Sequence, residues 1–281
     1  MQKVNISLLV FNEGQTIRET IVEGYKDLED LGINFELWVI DNASEDNTKE
    51  IVMELQEKFP KLNYYLQSEN IGYALSSESS FKVPDADVYI TVDGDGQYRL
   101  TDIKLLLDIV NNGTDAVFAV RKIRKDPMGR IVMSSVFNLI SKILLPIKVQ
   151  DLNCGFRALS KKAAQKIFIQ NKVNYVGPEI YVRLLQLNMK IQDVDVRHFE
   201  RKAGNSVYTG LMSTMKSCWG MLTYLYSLKS EYKAMSAPTN GLAAQNGKVY
   251  KPRASKPILT SPIIQEKFEA QYSTSGDKAL L

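Results

Sequence analysis

Two aspartates one residue apart, in Val92-Asp93-Gly94-Asp95-Gly96-Gln97, stand at the end of an apolar run and shortly before a helix start at Thr101. Paired carboxylates between glycines suit a hard divalent cation, Mg2+ or Mn2+, which takes one or two carboxylates and keeps positions open for phosphate oxygens. A glycine-rich turn with two solvated aspartates has the same letters. Two sharper alternatives fail. A calcium EF-hand loop starting at Asp93 requires Gly where Tyr98 stands and Glu where Lys104 stands. A haloacid-dehalogenase phosphatase carries Asp-x-Asp-x-Thr after its first strand, whereas this motif follows a late strand and ends in Gln97.

Two further apolar runs end in polar groups: Leu9-Val10-Phe11-Asn12-Glu13-Gly14, and Ile40-Asp41-Asn42-Ala43-Ser44-Glu45-Asp46-Asn47-Thr48. Asp41, where the chain leaves a buried strand, is placed to accept hydrogen bonds from a nucleobase or ribose. Ser44 or Asp46 reads as a cap of the next helix.

Val4–Val10, Phe35–Ile40, Asp87–Val92 and Asp115–Val120 are nearly continuous apolar runs, the pattern of parallel strands covered on both faces. Helical patterns lie between them, one opened by a capping box, Thr16-x-x-Glu19, the others spanning Thr48–Phe59 and Thr101–Asn112. Strand–helix repeated four times predicts an α/β fold with an open doubly wound, mostly parallel sheet. In such sheets ligands sit at the carboxyl ends of strands, where three of these strands deliver carboxylates. Beyond a charged link, 121–127, the pattern predicts a helix to Leu145, a short strand Cys154–Leu159, helices Lys161–Asn171 and Pro178–Leu187, and a last strand Ile191–Val196. The chain divides into a main domain, 1–209, an amphipathic helix, 210–235, and a flexible polar tail, 236–281, with four of the nine prolines.

The 281 residues are 44% apolar and 24% charged, an ordinary globular composition. The net charge of +3 comes from the end of the chain: Lys229–Leu281 holds eight Lys/Arg and four Asp/Glu, leaving 27 against 28 before it. That balance argues against nucleic acid as a partner. Cys154, Cys218 and the single His198 form no metal or disulfide pattern. With no signal-like segment at the N-terminus, a cytoplasmic protein is expected. Val132–Val149 and Leu211–Leu228 are apolar, but Lys142 and Pro146 interrupt the first and Lys216 the second, so neither reads as a membrane span.

The chain resembles the family 2 glycosyltransferases. The likeness rests on Val-Phe-Asn-Glu at 10–13, Val-Ile-Asp-Asn-Ala-Ser-x-Asp-x-Thr at 39–48, Asn-Ile-Gly-Tyr-Ala at 70–74, Asp-Gly-Asp-Gly-Gln at 93–97, Asp-Leu-Asn-Cys-Gly-Phe-Arg at 151–157 and Glu-Arg-Lys-Ala-Gly-Asn-Ser at 200–206. It points to the branch with dolichyl-phosphate mannose synthase and polyprenyl-phosphate sugar transferases. It implies a GT-A fold that transfers a sugar with inversion from a nucleotide diphosphate sugar to a polyprenyl phosphate or a saccharide hydroxyl. By position Phe11, Asn12, Glu13 and Asp41 would hold the nucleoside, Asp93 the ribose or metal, and Asp95 with Gln97 the metal. Arg121, Arg157 and Arg201 would bind substrate, Arg121 and Arg201 at the diphosphate, with Asp95, Asp151 and Arg201 catalytic. A hydroxyl acceptor needs a base, for which Asp151 and then Glu179 are the candidates. The branch usually has Lys where this chain has Val207, a loss that Lys202 could offset; the helix at 210–232 could lie on a membrane through Trp219 and Tyr224, or its Met and aromatic stripe could pack on the core. A catalytically idle nucleotide-sugar-binding or scaffold protein of the same fold is the alternative.

Overall fold

The computed structural model describes residues 1–170, 176–202, 211–236 and 258–259, with side chains of the last helix described for 220–233. The chain begins in the middle of its sheet. Strand β1 (Lys3–Val10) pairs in parallel with β2 (Asn34–Asp41) on one side and with β4 (Val88–Asp93) on the other. Helix α1 (Ile17–Asp30) connects β1 to β2, and α2 (Thr48–Gln56) connects β2 to β3 (Leu62–Leu66). The chain then returns through α3 (Tyr73–Lys82) to β4, so the carboxyl ends of β1 and β4 flank the point where strand order reverses.

A short 3-10 turn, Leu100–Asp102, and α4 (Ile103–Asn111) lead to β5 (Ala116–Arg121). After α5 (Met128–Leu144), the strand β6 (Arg157–Ser160) enters antiparallel between β4 and β5. Helices α6 (Lys161–Lys166) and α7 (Gly177–Gln186) precede β7 (Ile191–Val196), parallel to β5, and α8 covers Leu211–Ser236. Among the described residues the sheet order is β7-β5-β6-β4-β1-β2-β3-β8, where β8 is Ile258–Leu259, antiparallel to β3.

Several expectations are corrected. The strand β3 and helix α3 add to the expected elements: β3 is five residues long, and α3 carries four serines in place of a clear apolar stripe. Those serines are functional packing: Ser76, Ser77 and Ser80 are buried, and Asn5 of β1 donates to the Ser80 carbonyl at 3.2 Å, so small polar groups bring α3 close to the sheet. The Thr16/Glu19 capping box does not form. The Thr16 hydroxyl donates backward to the Glu13 carboxylate, and Glu19 pairs with Lys202. Of the two cap candidates before α2, Asp46 accepts from the Thr48 amide at 3.0 Å, whereas the Ser44 hydroxyl donates to Asp41. The β6 strand starts three residues later than expected, at Arg157, and α6 stops at Lys166, well before Asn171, which lies outside the described residues.

Two large apolar clusters fill the faces of the sheet, one around Ile6, Leu37, Ile90 and Phe156, the other around Phe118, Leu159, Ile180 and Leu225. Of the two settings open to α8, membrane interface or core, its described side chains take the second. Met221, Tyr224, Leu225 and Leu228 are buried in the second cluster, with the Tyr224 hydroxyl donating to Glu179 at 3.0 Å. Trp219 lies outside the described side chains, and of the tail only Ser236 and β8 are described.

Gly177 opens α7 directly against the loop that carries Asp151. A Cβ there would stand 1.9 Å from the Leu152 carbonyl oxygen, a backbone atom that no rotamer change can move away. Gly177→Ala is expected to lower stability by about 2–3 kcal/mol in urea unfolding; an unchanged midpoint would contradict this docking of α7.

Candidate active site at the carboxyl edge of the sheet

The end of β1 and the end of β4 deliver the acids. Glu13 follows β1, and its backbone amide donates to Thr48 Oγ1 at 3.1 Å, which ties the turn to the start of α2. Asp93 is the last residue of β4, and Asp95 lies in the turn beyond it. Gly94 lets this turn press on β1, since a Cβ there would meet Val10 Cγ2 at 2.6 Å. Glu13, Asp93 and Asp95 act on one another electrostatically, with Arg201 facing Glu13 and Asp95.

The acids are held, each in a different way. Asp93 Oδ1 accepts from the Tyr73 hydroxyl at 2.8 Å, and Asp95 Oδ1 accepts from the Gln97 amide at 3.1 Å. A Cβ on Gly155 would lie 2.4 Å from both Asp93 oxygens, so the bare backbone before β6 is what gives that carboxylate its room. Burial, with Asp93 beside it, pushes the Asp95 carboxyl up to about 6. Burial also pushes Glu13 up to about 7, against its ion pair with Arg201 and with Asp95 adding to the rise. For both acids burial is the larger cause, and the neighbouring carboxylates add to it.

Gln97 Nε2 donates to the Phe199 carbonyl at 3.1 Å, and the Phe199 amide donates back to the Gln97 backbone carbonyl at 2.9 Å. This exchange clips the segment after β7 to the Asp95 turn and carries Arg201 to Glu13. Among the described residues no three His, Cys, Asp or Glu side chains form a metal cage. Lys202 pairs with Glu19; Val207 lies outside the described residues.

Asp41 has a different setting from the one expected. It is 0% exposed, with Oδ1 accepting from the Ser44 amide and hydroxyl and Oδ2 from the Tyr64 hydroxyl at 2.7 Å. Asp41 therefore braces the loop, and the loop is what reaches the edge. Asn12, at φ 55°, interlocks with it by donating its amide to Ser44 Oγ and accepting from the Glu45 amide. Phe11 stands half-exposed at the end of β1 with an open ring.

Arg121 and Asp151 meet each other. Arg121 Nε and Nη2 donate to the two Asp151 oxygens at 2.7 and 3.0 Å, and both residues are buried. Burial would raise Asp151, but the Arg121 hydrogen bonds and charge hold it below its ordinary value. Beside the pair, burial lowers His198 to about 4, and its Nδ1 accepts from the Lys125 amide at 3.2 Å. Arg157 is buried on β6, its guanidinium over the Phe118 ring and Nη2 donating to the Leu152 carbonyl. Glu179 lies away from this edge in the second core cluster, fully buried and accepting from the Gln170 amide and Tyr224.

Tyr73, Tyr64 and Gly155 were not singled out from the sequence. Tyr73 and Gly155 sit inside the motifs at 70–74 and 151–157, so the signal was present, but only the fold shows that both meet Asp93. Glu13 provides a pH test. Its folded value near 7 lies above the unfolded one of 4.5, so stability falls as pH rises through that window. Glu13→Gln cannot titrate, and its stability relative to wild type is expected to improve from pH 4.5 to 7 and then level off. Denaturant midpoints across pH would show this, and a constant difference would refute it.

Comparison with known proteins agrees with this architecture. A dolichol-phosphate mannosyltransferase of Pyrococcus furiosus is 26% identical over 236 residues, covering 80% of this chain and 63% of that protein. An undecaprenyl-phosphate 4-deoxy-4-formamido-L-arabinose transferase of Salmonella paratyphi B is 26% identical over 213 residues, 74% of this chain and 63% of its own length. The chain thus spans less than two thirds of these relatives. The crystal structure of glucosyl-3-phosphoglycerate synthase from Mycobacterium tuberculosis with Mn2+, UDP and phosphoglyceric acid superposes with a TM-score of 0.59 at 15% identity, covering 85% of this chain and 81% of that one. The fold is therefore GT-A, as the sequence resemblance implied. Residues 6–168, more than half the chain and including both carboxylate-bearing edges of β1 and β4, match glycosyl transferase family 2, and the chain belongs to that family.

Proposed function

We propose that this chain transfers a sugar from a nucleotide diphosphate sugar to a polyprenyl phosphate, with inversion at the anomeric carbon. The observation that carries the acceptor is the Arg121–Asp151 clamp. A saccharide hydroxyl needs a base to take its proton as it attacks. Asp151 is held in a two-point ion pair that lowers its proton affinity, and Glu179 is buried under three hydrogen-bond donors. A phosphate monoester, whose second pKa is near ~6, is already anionic at neutral pH and needs no base. The names of the two curated relatives support the same acceptor class.

The donor reading rests on the acids of β1 and β4. Two hard carboxylates side by side, one raised to about 6 by burial and its neighbour, form a donor set that fits Mg2+ or Mn2+, with water and phosphate oxygens completing the shell. Asp93 and Asp95 would hold the ion; Gln97 sets Asp95 through its amide. Bound there, the cation would neutralise charge on the diphosphate. In this reading Arg201, oriented by Glu13, faces the same diphosphate and stabilises the charge that grows on it as the anomeric C–O bond breaks. Tyr73 and Gly155 fix the direction of Asp93, and Phe11 offers its ring to the base. An acceptor phosphate oxygen forms the new bond to the anomeric carbon from the opposite side, and the bonding pair leaves with the nucleoside diphosphate. A lipid-linked acceptor also puts the chain at a membrane surface by peripheral contact, on the cytoplasmic face; no described helix is long and apolar enough to cross a membrane.

The test measures nucleoside diphosphate release from GDP-, UDP-, dTDP- and CDP-sugars with Mn2+, with and without a short-chain prenyl phosphate. Release with one donor, dependent on the prenyl phosphate and reduced about 100-fold or more by Asp95→Asn, is expected. Release that requires a saccharide hydroxyl instead would overturn the acceptor. Nucleotide binding in thermal shift with no release from any donor would favour the idle binding protein.

A further inference from the structure

Ile258 and Leu259 bring the tail back to the sheet. They form β8, antiparallel to the last two residues of β3, with Ile258 opposite Leu66 and Leu259 opposite Tyr65. The letters around them suit that place. Pro257 and Pro262 bracket Ile-Leu-Thr-Ser, and proline has no amide to donate to a ladder, so a paired strand is confined to the residues between them. Ile258 and Thr260 are β-branched, which favours pleated backbone.

The end of β3 needs such a partner. β3 is the outermost parallel strand on its side, and Leu-Asn-Tyr-Tyr-Leu holds neither proline nor charge, the devices that ordinarily stop a sheet edge from pairing with other chains. Side chains attend its beginning: Gln56 Nε2 donates to the Leu62 carbonyl at 3.3 Å, and the Lys61 amide donates to the Tyr25 hydroxyl at 3.4 Å. At its end β8 takes that role, and Tyr65 and Leu66 are buried. That end is also tied to the Asp41 loop. The Tyr64 hydroxyl donates to Asp41 Oδ2 at 2.7 Å, and the Gln67 amide donates to the Asp41 carbonyl at 2.9 Å. Asn42 Nδ2 donates to Asn70, and its Oδ1 accepts from the Ile71 amide, both at 2.9 Å. Residues 64–71 and 41–44 are therefore one hydrogen-bonded unit, with the end of β3 as its outer wall.

We infer that β8 acts in cis as a positioning strap: by closing the outer side of β3 it holds the Asp41 loop in the shape that receives the nucleoside of the donor. The nucleoside part rests on the donor reading above; the strap does not. The chain can reach its own edge. At about 4.8 Å per strand, β8 lies about 19–24 Å across the sheet from β4 and β6, whose face α8 helps to cover. The residues between Ser236 and Ile258 span up to about 70 Å when extended, three times what is needed. The tail of a second copy could form the same ladder, and exchange between copies is the outcome that tells against a strap in cis.

Hydrogen–deuterium exchange of the full chain, without ligand, reads the strap directly. Leu259→Pro removes an amide from β8, and Ile258→Asp places a charge in it. Each is expected to speed exchange about tenfold across residues 62–71 and 41–44, while Ile258→Val exchanges like wild type. Ile258 and Leu259 belong to neither large core cluster, so thermal unfolding is expected to stay cooperative in both variants. With Mn2+ and whichever of the four donor sugars the wild type uses, both variants are expected to raise the donor KM about three- to tenfold and to leave kcat within about twofold. Unchanged exchange at 62–71 overturns the strap. So does wild-type protection that falls on dilution in step with a dimer seen by light scattering. Faster exchange with an unchanged KM overturns its hold on the nucleoside. If the wild type uses no donor, the donor reading has failed, and the strap still stands or falls by exchange at 41–44.

Discussion

Negative charge gathered at the strand-order reversal is the constraint on which the rest of the structure depends. Glu13 and Asp95 are buried and lie within electrostatic reach of Asp93, and buried acids destabilise a fold unless donors or cations attend them. The attendants come from far along the chain: Tyr73 from the start of α3, the Gln97 amide from the turn itself, and Arg201 from beyond β7. Two glycines make the approach possible, Gly94 against β1 and Gly155 against Asp93. The site is thus assembled by long-range contacts.

The antiparallel strand β6 separates this acidic edge from a region organised around arginine. Arg121 closes on Asp151, and Arg157 is buried with Nε and Nη1 unbonded, its charge set over Phe118. A guanidinium in such a place is costly, since desolvation outweighs what one carbonyl and one ring return. Its register partner on β4 is Thr91, two residues before Asp93, and its charge acts on Tyr73, which holds Asp93. The arginine and the acid thus lie on adjacent strands, joined through Tyr73.

Much of this was legible in the letters because strand ends are where parallel sheets present ligands. The apolar runs placed β1, β2, β4 and β5, and the polar residues ending them fell on one edge. Other parts were hidden for physical reasons. The stretch Leu62–Leu66 is too short for a period to declare itself, and α3 buries serines because the second face of β1 carries Asn5 and Ser7. Asp41 looked like a ligand, yet Tyr64 on the neighbouring strand takes one of its oxygens, and strand order cannot be read from a single run. Asp151 and Arg121 were both read as facing substrate; thirty residues apart, nothing local says that they face each other. For α8 the apolar stripe suited either a membrane interface or the core, and only the fold shows which cluster its described residues enter.

Helix α5 shows why the sign of amphipathicity cannot be taken from pattern alone. A stripe of Val, Leu and Ile at helical spacing ordinarily points to the core. Here the inward side is claimed by a loop that must be gripped by hydrogen bonds, Ser134 on Asn153 and Asn138 on Leu152, because that loop carries the Arg121 partner. Once the polar face is committed inward, the apolar face has nowhere to go but out. The same helix thus presents Val132, Val136, Leu139 and Ile143 outward while its inner side holds the loop that carries Asp151.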